Sequence, residues 1–422
     1  MHIAIDAHMV GERETGNETY TLNLARGLLR LTGRDPKGFS WDLAGPPNAT
    51  QELPATQRAQ QRRFGDMPRF FFLATHPERL HATLPELRHS PNAQVVPLRP
   101  ASALLRIPFG LPWASLRGSF DLLHVTYNAP PLSPCPTVVT IHDISFEHYP
   151  QFFSPRDLLI LKTLVPLSAR RAACILTGSQ HTRQELIDRY RLPPQKIAVT
   201  SYAVDERFQP VAEPAALDAV RAKYGIGAAP FALALGNLQP RKNMARLVEA
   251  FALAARKVIS PRNDFSQSND FSSLVIAGKA QWRESEVFQA VKQAGLEGRV
   301  LFPGYVDDAD LPALYSAAAV FVYPSLYEGF GLPPLEAMAC GAPVISSRAA
   351  SLPEVVGDAA VLIEPTDTAG LAQALFDVLT QPALQAELRQ RGLRRAAQFS
   401  WERCAAETLA VYADVLARGR GR

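Results

Sequence analysis

Cysteine is scarce and dispersed. Four occur in 422 residues, Cys135, Cys174, Cys340 and Cys404, and no two form a Cys-x-x-Cys pair. That spacing implies neither a disulfide framework nor a zinc cluster, and it fits a reducing compartment. His8, His124 and His148 make no metal-ligand spacing with neighbouring acids, so no metal site is expected. Long apolar runs are missing as well. The longest uncharged stretches, 122–141 and 311–327, are interrupted by prolines and do not read as spanning helices. Residues 1–10 lack a basic n-region and a cleavage site, so no signal peptide is expected. No G-x-G-x-x-G follows the first strand, which argues against a dinucleotide-dependent dehydrogenase. The 35 prolines and 25 glycines follow no repeat, which excludes a collagen-like or low-complexity chain.

What remains is an ordinary globular composition, 47% apolar and 20% charged, able to bury a sizeable core. The length suggests two or three domains. The formal charge of +4 is unevenly placed. Residues 1–200 carry 22 Lys and Arg against 16 Asp and Glu, leaving 22 against 24 for the rest. A basic N-terminal half suits a phosphorylated or membrane-surface substrate, or is simply a solvated basic surface.

Strands and helices alternate along the chain, which predicts mostly parallel sheets covered on both faces. Strands are expected at 2–6, 121–125, 137–141, 174–177 and 197–199. Helices are expected at 19–31, 157–172 and 180–190, the first from apolar Tyr20, Leu24, Leu28 and Leu31. The alternation then restarts, with strands at 231–235, 274–277, 300–302, 320–323 and 343–346 and helices near 243–255, 284–294, 311–317, 332–340 and 370–379. Two doubly wound domains follow, at 1–204 and 215–398, joined through 202–214. A C-terminal helix within 399–422 starts at Ser400, a plausible N-cap. The polar stretches 45–63 and 260–273 read as surface loops.

Four constellations could carry chemistry. Phe231 to Asn243 is a buried strand, a glycine (Gly236), a short loop and two cations, Arg241 and Lys242, at a helix start. Cations are disfavoured at a helix N-terminus, so this placement calls for an anion such as a diphosphate. Next, Val320 to Glu336 is a strand, a loop carrying Glu328, Gly329, Phe330 and Gly331, and a helix opening at Leu332 with Pro333 and Pro334 in its first turn. The glycines allow close backbone approach, and carboxylates such as Glu328 and Glu336 suit vicinal sugar hydroxyls. Third, His142 and Asp143 end a strand, where open α/β sheets bind ligands. His142 could serve as donor, as acid–base or merely as a satisfied strand-end histidine. Fourth, Gly16 lies in the segment 15–20 that links the first strand to its helix. Separately, Arg99, Arg106 and Arg117 interleave with Leu104, Leu105, Ile107, Phe109 and Trp113. This is either a surface for a lipid-linked acceptor or a packed helix and loop.

The pairing of Gly236…Arg241-Lys242-Asn243 with Glu328-Gly-Phe-Gly-Leu…Glu336 resembles glycosyltransferase family 4, and the two glutamates separated by seven residues are its most specific feature. Residues 5–7 and 15–20 resemble the opening of its bacterial mannosyl- and rhamnosyltransferase-like members. The segment here reads Thr-Gly-Asn-Glu-Thr-Tyr where many relatives have Gly-Ile-Gly-Arg-Tyr. The resemblance implies a GT-B fold, two Rossmann-like domains facing across a cleft, with the last helix returning to the N-terminal domain. It implies a retaining, metal-independent hexosyltransferase of glycan or polysaccharide biosynthesis, with no cofactor beyond a nucleoside-diphosphate sugar such as GDP-mannose.

By the same resemblance Arg241 and Lys242 would hold the leaving diphosphate, Glu336 the ribose, and Glu328 the donor sugar. His142 would reach the sugar from the N-terminal domain, and Gly16, Gly236, Gly329, Phe330, Gly331 and Leu332 would complete the donor site. The expected partners are a sugar nucleotide and a glycan or lipid-linked acceptor, not nucleic acid. The expected location is cytoplasmic, with peripheral contact at the inner face of the membrane. A GT-B sugar-nucleotide epimerase and a Rossmann nucleotide-binding protein or dehydrogenase stand as alternatives.

Overall fold

In the computed structural model residues 1–11, 15–33, 67–258, 273–278 and 284–419 are described. The polar stretches expected at 45–63 and 260–273 fall outside them, apart from Ser273 itself. The first sheet is built from β1 (His2–Asp6), β2 (Arg69–Ala74), β3 (Ala93–Pro97), β4 (Leu122–Thr126), β5 (Thr137–Thr140), β6 (Cys174–Thr177) and β7 (Ile197–Val199). Its strand order is β3-β2-β1-β4-β5-β6-β7. The second comprises β8 (Phe231–Leu235), β9 (Ser273–Ala277), β10 (Val300–Gly304), β11 (Val320–Tyr323), β12 (Val344–Ser347) and β13 (Ala360–Ile363). Its order is β10-β9-β8-β11-β12-β13. Both sheets are parallel and doubly wound. In each, the order reverses beside the first strand, between β1 and β4 and between β8 and β11.

The central strands are short apolar runs buried on both faces, as parallel strands under helices are, whereas the edge strands β3, β10 and β13 are only partly buried. Phe231 to Ala234 and Val320 to Tyr323 are all buried. The helix Met244–Val258 covers the second sheet with Met244, Leu247, Val248, Phe251, Ala254 and Ala255, the i, i+3, i+4, i+7 spacing of one helical stripe. Leu247 and Phe251 are fully buried, and truncating either to alanine should cost about 2–5 kcal/mol.

The sheets change over between Val199 and Phe231. Compact units change over earlier: one holds Met1–Thr140, Arg171–Cys174 and Ala405–Arg422, the other Ile141–Arg170 and Ile175–Cys404. Hydrogen bonds explain why 141–170 and 175–202 belong with the second unit. The Ser179 hydroxyl donates to the Gly329 carbonyl at 2.7 Å, and the Tyr149 hydroxyl to the Leu326 carbonyl at 3.1 Å. Glu354 accepts from the Gln180 and His181 backbone N–H groups at 2.8 and 3.1 Å, placing an anion at the start of the helix Gln180–Tyr190.

Three expectations are corrected. The first helix spans Thr15–Thr32 rather than 19–31, so Gly16 sits in its first turn. The strands β2, β3 and β13 were not expected. Arg241 and Lys242 lie in a separate 3-10 turn, Pro240–Lys242, and the helix proper begins at Met244. Among the described residues no helix is long and apolar enough to cross a membrane.

Candidate functional site

The loops that follow β8 and β11 flank the reversal point of the second sheet, where ligands of such sheets bind. Their conformations are set by glycines. Gly236 has φ +148° and packs against the aliphatic stem of Lys242. Gly278, after β9, has φ +150°, and a Cβ there would stand 2.1 Å from the Gly236 carbonyl oxygen. Two loops therefore approach too closely for any side chain at Gly278. Asn243 then takes the left-handed conformation (φ 61°) that ends the 3-10 turn. Its amide donates to the Pro324 and Pro365 carbonyls at 3.1 and 2.8 Å, tying the cationic loop to the loops after β11 and β13.

The cations meet Glu328. Lys242 Nζ lies 2.7 Å from Glu328 Oε1 and Arg241 Nη1 3.0 Å from Oε2. Oε1 also accepts from the Ser325 hydroxyl at 2.6 Å and the Tyr323 hydroxyl at 3.0 Å. Arg241 additionally donates to the Tyr327 carbonyl. The Ser351 hydroxyl holds the loop from the other side, bonding the Glu328 and Phe330 carbonyls at 2.8 and 2.9 Å. Burial would raise the Glu328 pKa, but Arg241 and Lys242 overrule it and hold the carboxyl at about 2. Burial lowers the Lys242 pKa, whereas Glu328 and Asp143 keep Arg241 above the ordinary guanidinium range despite its burial. The anion that the two cations call for is thus supplied within the chain. Asp143 acts electrostatically on both cations as well, so the cluster carries no clear excess of positive charge, and its members are held by hydrogen bonds.

Glu336 stands apart from this cluster. It lies on the helix Leu332–Ala339, which opens after Gly331 (φ 109°). Its Oε2 accepts from the Tyr315 hydroxyl at 3.0 Å. Burial pushes its pKa up to about 7, against the Tyr315 hydrogen bond and the Arg207 charge. Phe330 is buried against Tyr202 and Phe399. A Cβ on Gly329 would lie 2.1 Å from the His142 carbonyl oxygen, so the His142–Asp143 turn presses on the glycine loop. His142 Nδ1 shares a 2.7 Å hydrogen bond with the Tyr202 hydroxyl.

Of the expected site residues, Gly236, Arg241, Lys242, Glu328, Gly329, Phe330, Gly331, Leu332, Glu336 and His142 all fall in the second unit. Gly16 belongs to the first and is exposed there. Sequence reasoning missed Ser325, Tyr323, Ser351 and Gly278, and named Asn243 only as the end of its motif. It also missed a buried polar cluster in the first unit, where His124 bridges the Tyr412 and Thr140 hydroxyls at 2.5 and 2.7 Å. Burial drops the His124 pKa to about 3, so it is neutral. Nearby Asp6 pairs with His8 at 2.8 Å.

Comparison with known proteins decides what this arrangement belongs to. Residues 15–208 match the profile described as Glycosyltransferase Family 4, and residues 218–395 that of Glycosyl transferases group 1. The O-antigen chain mannosyltransferase B of Escherichia coli is 36% identical over 275 residues, 65% of this chain and 69% of that protein. The chain belongs to glycosyltransferase family 4. This glycosyltransferase is also 34% identical over 234 residues to the serotype-specific mannosyltransferase WbdA of Escherichia coli, covering 55% of the chain but only 27% of that longer relative. Among solved structures, the sucrose-phosphate synthase of Thermosynechococcus elongatus superposes with a TM-score of 0.69 at 21% identity, over 99% of this chain and all of that one. That likeness establishes the GT-B fold. The Glu328–Arg241–Lys242 cluster and Glu336 lie in the part of the glycosyltransferase that matches the group 1 profile.

Proposed function

We propose that the enzyme moves a hexose, with mannose as the leading candidate, from a nucleoside-diphosphate sugar to an acceptor hydroxyl with retention and without a metal ion. The observation that carries the proposal is the buried cluster of Arg241 and Lys242 on Glu328 at the reversal point of the second sheet. Mannose is favoured because the relatives quoted above are named as mannosyltransferases. The acceptor is a glycan or lipid-linked saccharide.

In the proposed reaction the bond between the anomeric carbon and the diphosphate oxygen breaks. The acceptor oxygen bonds to the same face of that carbon, and its proton passes to the departing phosphate. Negative charge grows on the diphosphate, and Arg241 and Lys242 are two full cations able to meet it. They need no reorganisation, since Glu328, Tyr323, Ser325 and the Tyr327 carbonyl already fix them. The role of Glu328 is therefore first to position the cations, and its contact with the sugar is secondary. Glu336 takes the ribose hydroxyls, a contact equal in ground and transition states. His142, oriented by Tyr202, reaches the sugar. Sugar-nucleotide epimerisation and dinucleotide-dependent redox chemistry are not favoured by the comparisons.

The test is a panel of sugar nucleotides mixed with candidate saccharide acceptors, read by product mass, with and without chelator. The proposal expects one donor to be consumed only with acceptor present, an axial linkage from an axial donor, and activity that survives chelation. Conversion of the donor sugar without acceptor, an inverted linkage, or a strict requirement for added Mg²⁺ or Mn²⁺ would each contradict it.

A further inference from the structure

A second carboxylate reaches the Arg241–Lys242–Glu328 cluster through a single residue. The loop after β11 carries Tyr327 immediately before Glu328. The Tyr327 carbonyl accepts from the Arg241 guanidinium and, at 3.2 Å, from the Ser325 hydroxyl. Its side chain is only 4% exposed. The ring stacks on His148, with centroids 5.4 Å apart, and meets Tyr149 and His181 edge-on at 6.0 and 6.1 Å. The Tyr327 hydroxyl donates to Glu185 Oε2. Glu185 Oε1 lies 2.8 Å from His148 Nε2 and 3.2 Å from His181 Nε2. His181 and Glu185 stand four apart on the helix Gln180–Tyr190, which puts them on one face. Burial would raise the Glu185 pKa, but His181, Tyr327 and His148 overrule it and lower it. Burial, Asp143 and Glu185 push the Tyr327 phenol up, so it stays the donor. All of these residues belong to the second unit.

Packing alone does not call for this arrangement. A buried phenol needs one partner, and a neutral amide or a carbonyl would serve. Here the partner is an ionised carboxylate whose other oxygen faces two imidazoles, and a charge-assisted bond of that kind is about twice as strong as a neutral one. Three ring contacts and that bond fix the Tyr327 side chain, and the same residue bears the carbonyl that holds Arg241. We propose that Glu185 is a positioning residue: through the Tyr327 hydroxyl it fixes the carbonyl on which Arg241 rests, and so aims the Arg241 guanidinium at the diphosphate. The proposal rests on the diphosphate role given to Arg241 above. No hydrogen bond or ion pair joins Glu185 to Arg241 or Lys242 directly, so its effect on the cations passes through Tyr327.

A double-mutant cycle on the full chain, read by calorimetric titration with inorganic pyrophosphate, tests this without donor sugar or acceptor. Glu185→Gln and Tyr327→Phe should each weaken pyrophosphate binding by about threefold or more in the wild-type background, and neither should weaken it further in an Arg241→Gln background. A residue that merely packs the helix Gln180–Tyr190 on the loop would move the thermal midpoint and leave the affinity of the folded protein alone. Should Glu185→Gln lose its fold, Tyr327→Phe, which keeps the ring and removes one oxygen, carries the same prediction. Unchanged affinity in the folded variants, or losses that persist undiminished in the Arg241→Gln background, would overturn the inference and leave the diphosphate site standing. Wild type that fails to bind pyrophosphate would overturn the diphosphate role of Arg241 itself, and the inference with it.

Discussion

Glu328 and Glu336 belong to one motif, stand apart with seven residues of glycine loop and helix start between them, and have opposite chemistry. Glu328 accepts from four donors, two of them cations, and is ionised down to about 2. Glu336 accepts from one phenol and, under burial, holds its proton up to about 7. The difference teaches that identity and spacing place a carboxyl group, whereas its neighbours decide its charge. Here those neighbours are far away in sequence: Lys242 is 86 residues from Glu328. The ionised glutamate organises cations, and the protonatable one is suited to hydroxyls.

The largest way to break the contrast is Glu328→Ala. It leaves Arg241 and Lys242 buried against each other without their carboxylate, and should cost about 3–5 kcal/mol of stability as well as activity. Denaturant midpoints measure this, and an unchanged midpoint would mean that the cations do not depend on Glu328. Next comes Lys242→Ala, which leaves Glu328 with Arg241, Tyr323 and Ser325. We expect a loss of roughly 3–4 kcal/mol of transition-state stabilisation, appearing mainly in kcat. A rise in KM alone would make Lys242 a ground-state contact.

The two carboxyls should also tilt stability in opposite directions with pH. The folded pKa of Glu336 is raised from 4.5 to about 7. Its contribution is therefore complete below 4.5 and lost as pH rises through about 7, by about 3 kcal/mol in all. Glu336→Gln, neutral throughout, should flatten that part of the curve. Glu328 is lowered from 4.5 to about 2, so its contribution is complete above 4.5 and lost as pH falls through about 2. Unfolding free energies measured from acid to neutral pH in wild type and Glu336→Gln check the signs. A further loss is expected from Gly329→Ala, whose Cβ would stand 2.1 Å from the His142 carbonyl oxygen. About 3 kcal/mol or more of stability should be lost, because the atom met is backbone and cannot step aside, read from the same denaturant curves.

How much of this was legible in the sequence follows from what each feature depends on. Phe231–Leu235 and Val320–Tyr323 are unbroken apolar runs, so their burial as parallel strands could be read directly. The glycines at 236, 329 and 331 advertised backbone approach, and the two glutamates with Arg241 and Lys242 formed a visible motif. The β2 strand was hidden because Arg69–Ala74 follows a long polar stretch, and β13, Ala360–Ile363, is a strand only partly buried. The counter-ion of Arg241 and Lys242 was expected to be a ligand. That Glu328 fills the place depends on the β8 and β11 loops meeting, which sequence distance conceals. Ser325 and Ser351 carried no signal, since a serine in a loop is ordinary until its hydroxyl is seen on Glu328 or its carbonyl. Arg106 was read with Arg99 and Arg117 as one basic set, yet its neighbours turn it inward.

Calorimetric titration with inorganic pyrophosphate tests the division between the two glutamates most directly, because the ligand carries the diphosphate charge and no ribose. Pyrophosphate should bind Glu336→Gln as it binds wild type, and bind Glu328→Gln at least about tenfold more weakly, because the cations lose the carboxylate that positions them. Equal affinity in the two variants, or loss confined to Glu336→Gln, would contradict the account.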